Sequence, residues 1–331
     1  MKTFFLVFFV LIVISATAQY RFDNVAFKTV YWEELCNTLN QNPGHLILDV
    51  RSKGEHFDTS VSKTLNLGHL DGALNIDIRE IGSRLKEIEA YKSKPVFVYC
   101  SHSQRSRRVS KMLADSGFVN VFNINGGISN LRMFEYSEMC NLLTTKLPYQ
   151  LLSPKKLAGK QTTSYYIVDV RPDSSFYGIA LQERKNAYGK LSTSVNIPLN
   201  ILEQRLASLP KDKTILLVDE TGNESIAAAE ILSKNGFANL AVLFNGLDAY
   251  ISEIPEIERD GWVNYVPYHT LSAVGLDELS KNRMPVVIDV RTKDEFNNAA
   301  KENFRSIGNI KNAINIPFSS LNDDITALPV D

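Results

Sequence analysis

The chain has 331 residues, a formal net charge of −1 and 44% apolar residues, an ordinary globular composition long enough for about two or three domains. The near-neutral charge gives no support for a protein that binds nucleic acid or an anionic membrane surface. The five histidines are scattered, and neither a Cys-x-x-Cys pair nor a glycine-rich phosphate loop occurs, so we expect no metal and no cofactor.

Residues 1–18 have the pattern of a secretory signal peptide. Lys2 precedes an apolar run from Phe4 to Ile14, and small residues at Ala16 and Ala18 suit cleavage after Ala18. A retained anchor is the alternative, but the run is shorter than the roughly 20 apolar residues that span a bilayer. No cysteine follows the run to carry a lipid. We therefore expect a periplasmic or secreted protein without a stable membrane anchor.

Helical and strand patterns alternate in the predicted mature chain. The spacing of Trp32, Leu35, Cys36 and Leu39 predicts an amphipathic helix. Further along, the sequence predicts a buried strand (HLILDV), a short strand (ALNID), a helix (REIGSRLKEIEAY), a strand (PVFVYC), a helix (RRVSKMLADSG) and a strand (VNVFNI). This alternation is typical of an α/β domain whose central parallel sheet has helices on both faces.

The same pattern occurs in three copies. The segments LILDVRSKGEHF, YIVDVRPDSSF and VVIDVRTKDEF place Asp49, Asp169 and Asp289 at intervals of 120 residues. Each is followed by a matching glycine and asparagine, which are Gly68 and Asn75, Gly189 and Asn196, and Gly308 and Asn315. We therefore predict domains at 19–146, 147–260 and 261–331. The third is expected to be partial, because its match to the second copy stops before the central loop.

Cys100 lies where a predicted central strand ends, and in α/β sheets ligands bind beyond that end of the strands. The residues after it are Ser101, His102, Ser103, Gln104 and Arg105. Such a small, polar loop before a helix can turn its backbone N–H groups toward the sulfur, while Arg105, Arg107 and Arg108 add positive charge. Both effects favour a thiolate that attacks a sulfur atom and then holds the charged persulfide. The alternative is a buried structural cysteine.

The two other cysteines, Cys36 and Cys140, each fall on an apolar helical stripe. We expect them to be small core residues rather than reactive thiols. Because export makes disulfides possible, a Cys36–Cys140 bridge stays open.

The first copy resembles the rhodanese family of sulfurtransferases. The family's elements occur in order as DVR with Glu55, GHLDGALNI, YCSHSQRS and Gly126-Gly127, and the resemblance extends over nearly the whole predicted mature chain. It implies tandem rhodanese-like α/β domains and a thiosulfate sulfurtransferase-like enzyme. It also implies that Cys100 takes sulfane sulfur from a small anionic donor such as thiosulfate. The persulfide, wrapped by Ser101 to Arg105, then passes that sulfur to a thiol or cyanide-like acceptor.

One position of the loop departs from the family pattern. Ser103 stands where the family usually has glycine, and glycine adopts a positive φ far more readily than serine does. We therefore expect the loop to be shifted or slower in its reaction.

The second copy serves as an internal comparison. It has Asp219 in place of the cysteine and Glu224 in place of the arginine, so we predict that it is inactive. Asp49 and Arg51 recur in this inactive copy, which favours a structural role for both. His69 does not recur, which favours a turn or surface role. His102 lies within the loop, where it can contact the donor.

Two other functions compete with sulfur transfer. Cysteine phosphatases and arsenate reductases have a Cys-x5-Arg loop, whereas Cys100 and Arg105 form a Cys-x4-Arg loop. The shorter loop favours binding of a single sulfur atom over binding of phosphate. The second rival is a non-enzymatic persulfide carrier or binding module, in which the second copy is a packing partner.

Overall fold

The computed structural model describes residues 26–134, 142–159, 164–259, 261–282, 285–302 and 305–324. The chain divides between Ser153 and Pro154 into two compact units. The predicted signal peptide and Cys140 lie outside the described residues. Among the helices in the described ranges, none has the length and apolar character needed to cross a bilayer.

The first copy contains five helices and seven strands within these ranges. Its strands are β1 (Lys28–Val30), β2 (Leu46–Asp49), β3 (His69–Leu70), β4 (Leu74–Asn75), β5 (Val96–Tyr99), β6 (Val121–Ile124) and β7 (Leu143–Thr144). Its helices are α1 (Trp32–Gln41), α2 (Lys53–His56), α3 (Ile81–Arg84), α4 (Gln104–Asp115) and α5 (Gly127–Phe134). The parallel sheet has the order β1-β6-β5-β2-β4, so the strand that leads to Cys100 is central.

The central strands are apolar on both faces because helices cover the sheet. All four residues of β2 and of β5 are buried, as expected for a parallel sheet between two helical layers. One side of the sheet packs Leu48 and Val98 against Val109 and Leu113 of α4. Trp32 and Leu35 of α1 are also buried, so the predicted amphipathic helix is confirmed.

The structure differs from the sequence prediction in two places. The segment REIGSRLKEIEAY is α3 followed by a 3-10 helix at Leu85–Tyr91, instead of a single α-helix. Gly82 and Ser83 are weak helix formers, and Glu80 provides no side-chain cap for α3. The short edge strand β1 has two exposed residues out of three, so it lacks the apolar run that would predict it.

The second copy repeats this arrangement. Its strands are β8 (Gln150–Leu152), β9 (Tyr166–Asp169), β10 (Lys190–Leu191), β11 (Val195–Asn196), β12 (Ile215–Val218), β13 (Leu240–Leu243) and β14 (Trp262–Val263). Its helices are α6 (Pro154–Gly159), α7 (Asp173–Phe176), α8 (Glu183–Asn186), α9 (Asn223–Lys234) and α10 (Gly246–Glu253), with a 3-10 helix at Leu199–Ser208. A second parallel sheet has the order β11-β9-β12-β13-β8. The predicted α/β class with a central parallel sheet is therefore confirmed.

The third copy shows the start of the same pattern. After α11 (Ala273–Asn282), it contains β15 (Ile288–Asp289), α12 (Lys293–Phe296), β16 (Ile314–Asn315) and α13 (Leu321–Asp324). Strands β15 and β16 pair in parallel. The domain boundaries drawn from the sequence stay predictions.

An ion pair recurs at the end of β2, β9 and β15, and it is buried in the first two copies and partly buried in the third. In the first copy, Arg51 Nη2 donates to Asp49 Oδ2 at 2.6 Å and to the carbonyl of Gly68 at 2.7 Å. Asn75 Nδ2 donates to the carbonyls of Asp49 and Arg51. The second and third copies make the same bonds. This recurrence agrees with a structural role for Asp49 and Arg51.

Candidate active site

Cys100 follows β5 directly, and the start of α5 fixes the backbone on either side of it. The N–H groups of Ile128 and Ser129 donate to the carbonyls of Cys100 and Ser101 at 2.9 and 3.0 Å. Gly127, with φ of +59°, makes this approach possible, since a Cβ there would lie 2.4 Å from the Cys100 carbonyl oxygen. The second glycine of the Gly126-Gly127 motif therefore holds the loop against α5.

The Cys100 thiol is free but only 1% exposed. It borders the apolar cluster that contains Val98 and Val109. This burial is the feature expected of a structural cysteine, so a reactive role for Cys100 depends on the polar groups of the loop. The equivalent loop in the second copy shows that such groups can bind a side-chain carboxylate.

Asp219 occupies the position of Cys100 in the second copy, and its carboxylate is held by the loop. Oδ1 accepts hydrogen bonds from the Gly222 N–H at 2.7 Å and the Ser225 hydroxyl at 2.8 Å, and Oδ2 accepts one from the Glu224 N–H at 2.9 Å. Asp219 is 2% exposed, nearly the same burial as Cys100. The loop therefore accommodates a side-chain anion at this depth, because its own donors point at the centre.

The equivalent groups in the first copy are the N–H groups of Ser103 and Arg105 and the hydroxyl of Ser106. Ser106 is fully buried, and its hydroxyl donates to the Ser103 carbonyl at 3.1 Å. Sequence reasoning missed Ser106. The alignment of the two loops contained the signal, because Ser106 matches Ser225.

Ser103 has the left-handed conformation that the sequence comparison anticipated for this position. Its φ is +81°, and the matching Gly222 has φ of +91°. The Ser103 hydroxyl accepts a hydrogen bond from the Gly126 N–H at 2.5 Å and lies 3.4 Å from the Asn125 side-chain oxygen. These contacts partly offset the strain of a non-glycine residue at positive φ.

Arg105 is paired with Glu55, which changes the predicted electrostatics of the loop. Its two terminal nitrogens donate to the Glu55 carboxylate at 2.7 and 2.6 Å, and one of them also reaches the Ser101 hydroxyl at 2.9 Å. The Ser101 hydroxyl in turn donates to Glu55 Oε1 at 3.0 Å. The positive charge predicted for Arg105 is thus accompanied by a carboxylate that the sequence analysis did not assign to the loop.

The Glu55 carboxylate is held by the turn that begins α2. Ser52 caps this helix by accepting from the Glu55 N–H, and its own N–H and hydroxyl donate to Glu55 Oε2. Burial would raise the pKa of Glu55, but the hydrogen bonds from Arg105 and Ser52 outweigh it and lower the pKa to about 2. The same carboxylate raises the pKa of Arg105. Both side chains are therefore charged at neutral pH.

His102 and Gln104 are the exposed members of the loop. The His102 ring nitrogen Nε2 lies 3.0 Å from the Ser129 hydroxyl. Burial of part of the ring, together with the nearby Arg105, lowers the pKa of His102. His102 is therefore a neutral imidazole at neutral pH.

The structure also locates His69 and Cys36. His69 is half-buried directly after the turn at Gly68, and its ring lies 4.2 Å from that of His56, whose Nδ1 donates to Asp49 at 2.9 Å. Cys36 is disulfide-bonded, which agrees with the bridge that the sequence analysis left open. Cys140 lies outside the described residues.

Comparison with known proteins identifies the domain type. The Rhodanese-like domain matches residues 32–133 and 153–253. An uncharacterized protein of Bacillus subtilis, YqhL, is 30% identical over 122 residues, which are 37% of this chain and 86% of that protein. The thiosulfate sulfurtransferase PspE of Escherichia coli is 30% identical over 80 residues, which are 24% of this chain and 76% of that protein.

A third relative, an enzyme named for a different function, is matched over a smaller fraction of its length. The tRNA uridine(34) hydroxylase of Cytophaga hutchinsonii is 31% identical over 86 residues, which are 25% of this chain and 25% of that protein. The two matched segments cover more than half of the chain and coincide with its two parallel sheets. The chain belongs to the rhodanese-like domain family, with two such domains in tandem.

Proposed function

We propose that the chain is a sulfurtransferase whose first copy carries sulfane sulfur on Cys100. The observation that supports this best is the carboxylate of Asp219, since the equivalent loop binds an anion through two backbone N–H groups and a hydroxyl. The first copy has a free cysteine at this position, with the N–H groups of Ser103 and Arg105 and the Ser106 hydroxyl at the matching positions of its loop. A persulfide there needs the same stabilisation as a carboxylate.

The reaction has two steps. The Cys100 thiolate attacks the terminal sulfur of a donor such as thiosulfate, the donor's S–S bond breaks, and sulfite leaves with the electron pair. An acceptor thiolate or cyanide then attacks the outer sulfur of the persulfide and releases the Cys100 thiolate. In both steps the N–H groups of the loop stabilise the charge on sulfur. Ser101 to Arg105 surround the sulfur, and the exposed His102 and Gln104 lie where a small donor enters.

Mass spectrometry tests the proposal. The protein is treated with thiosulfate and then digested, and the peptide that contains Cys100 should gain the mass of one sulfur atom. Cyanide treatment should remove that mass. A Cys100→Ser variant should show neither change. Thiosulfate:cyanide transfer at equal rates by the wild type and Cys100→Ser would contradict the proposal. A persulfide that forms once without steady-state turnover would favour the carrier function.

The pairing of Arg105 argues against phosphatase or arsenate reductase activity. An oxyanion substrate needs a free guanidinium for bidentate binding, whereas Arg105 already donates two hydrogen bonds to Glu55. Release of phosphate from a phosphate monoester, without cysteine-dependent sulfur transfer, would reverse this choice.

Export to the periplasm or the exterior also belongs to the proposal. The signal-peptide pattern supports it, and so does the disulfide at Cys36, because disulfides persist mainly in oxidising compartments. N-terminal sequencing of the mature protein tests it, with Gln19 expected as the first residue.

A further inference from the structure

Two arginines close to the Cys100 loop are paired with buried carboxylates. Arg105 is matched by Glu55, which is 3% exposed, and Arg51 is matched by the fully buried Asp49. His102 is neutral at neutral pH because burial and Arg105 lower its pKa. The charge of Arg105 at the loop is therefore offset by the carboxylate beside it.

Glu55 is tied to the loop by three hydrogen bonds. Two come from Arg105, and the third comes from the hydroxyl of Ser101, the residue next to Cys100. The inactive copy has Ser175 in place of Glu55, and there the Arg105 position is Glu224. Of these two copies, the one with the cysteine has both Glu55 and Arg105, and the inactive copy has neither.

A fixed carboxylate beside the loop affects donors according to their charge. Each additional negative charge on a donor is repelled by Glu55, and Arg105 offers little attraction in return because it is already paired. Thiosulfate carries two negative charges, whereas an organic thiosulfonate carries one. Both present the same terminal sulfur.

We propose that Glu55 is a specificity-determining residue that biases the Cys100 site toward monoanionic organic sulfane-sulfur donors and against dianionic thiosulfate. This inference depends on the proposed sulfurtransferase function. With a thiosulfonate, the Cys100 thiolate attacks the terminal sulfur and forms a new S–S bond. The bond between that sulfur and the sulfonyl sulfur breaks, and a sulfinate leaves with the electron pair. One thiolate and one thiosulfonate thus become one persulfide anion and one sulfinate.

A comparison of two donors in two variants tests the inference. We would measure kcat/KM for thiosulfate and for methanethiosulfonate, with cyanide as acceptor, in the wild type, Glu55→Gln and Glu89→Gln. A glutamine at 55 keeps one oxygen that can accept from one Arg105 nitrogen and from Ser101, and it leaves the guanidinium charge unmatched. Glu89 serves as the control, because it pairs with Lys92 at the exposed surface.

The quantity compared between variants is the ratio of the two kcat/KM values, because the intrinsic reactivity of each donor is the same in every variant. In Glu55→Gln we expect the thiosulfate to methanethiosulfonate ratio to rise about tenfold. The substitution removes one negative charge close to the donor, and thiosulfate carries one more negative charge than methanethiosulfonate. In Glu89→Gln the ratio should stay at the wild-type value. An unchanged ratio in Glu55→Gln, with both rates lowered equally, would overturn the inference and leave Glu55 with a structural role.

The wild type provides a second test that does not depend on the folding of a variant. Because Glu55 offsets the Arg105 charge, we expect kcat/KM for thiosulfate to fall with ionic strength no more steeply than kcat/KM for methanethiosulfonate. A steep fall for thiosulfate, with a much shallower fall for methanethiosulfonate, would indicate a positive site and overturn the inference. If neither donor produces a Cys100 persulfide, the proposed function itself is wrong. If both do, only the preference is in question.

Discussion

The loops after β5 and β12 share one backbone arrangement but differ in the source of the negative charge. In the second copy, Asp219 supplies a carboxylate that satisfies the loop's N–H groups from within the chain. In the first copy, the same position holds a cysteine, and we propose that the matching N–H groups stabilise a negative charge that forms on its sulfur. In this proposal both loops serve as anion sites, and the side chain at the centre of each loop decides whether that loop can react.

The largest expected effect comes from making the first loop like the second. In Cys100→Asp, the new carboxylate should accept hydrogen bonds from the loop as Asp219 does, so sulfur transfer should fall by about a thousandfold or more while the fold is retained. Transfer assays and thermal unfolding check both parts. Cys100→Ser is the control, with the same loss of activity but no new anion. Unfolding of Cys100→Asp alone would contradict the equivalence of the two loops.

The next effect concerns the glycine that holds each loop. A Cβ at Gly127 would lie 2.4 Å from the Cys100 carbonyl oxygen, and one at Gly246 would lie 2.6 Å from the backbone of Glu220. We expect Gly127→Ala and Gly246→Ala each to lower the free energy of unfolding by about 2–3 kcal/mol in urea titrations. Only Gly127→Ala should also lower sulfur transfer. Equal losses of activity in the two variants would mean that both loops take part in the reaction.

A smaller effect separates the copies at low pH. The pKa of Glu55 is lowered from 4.5 to about 2, so its stabilising contribution is present above pH 4.5 and is lost as the pH falls toward 2. Glu224 behaves oppositely, because burial and the nearby Asp219 raise its pKa. We expect the wild type to lose about 1 kcal/mol more than Glu55→Gln over this range, after allowing for solvent screening. Urea titrations at several pH values measure the difference. Parallel pH curves for the two proteins would contradict the assignment.

The smallest effects concern the residue at positive φ. Ser103→Gly removes the strain and also the hydrogen bond to Gly126, so we expect its free energy of unfolding to stay within about 0.5 kcal/mol of the wild type. Ser103→Ala keeps the strain and loses the bond, at a cost of about 1 kcal/mol. Gly222→Ala is the matched variant in the second copy and should cost a similar amount. A Ser103→Ala protein as stable as Ser103→Gly would show that the hydroxyl contributes nothing.

The sequence predicted those parts of the fold that depend on local pattern and repetition. The buried strands around Leu48 and Val98, the α/β class and the position of Cys100 at a strand end all follow from apolar runs and the threefold repeat. The segment after Glu80 could not be predicted correctly, because its apolar spacing suits a helix while Gly82 and Ser83 weaken one. The edge strand β1 has too few buried residues to give a pattern.

The candidate site was predictable in its members but not in its pairing. The order of the loop residues indicates an anion-binding loop, and the positive φ at Ser103 follows from the glycine that the rhodanese family usually has at this position. The bond between Arg105 and Glu55 joins residues 50 positions apart, and spacing alone does not show which carboxylate an arginine meets. The role of Ser106 emerges only when the hydroxyl of Ser225 is seen to contact Asp219.

The enclosure of Cys100 also limits the size of the molecules that it meets. Cys100 is 1% exposed, so a bulky protein thiol or disulfide cannot lie against it. The same enclosure shields the thiol from mixed disulfides. The chain can thus form a disulfide at Cys36 while Cys100 stays a free cysteine.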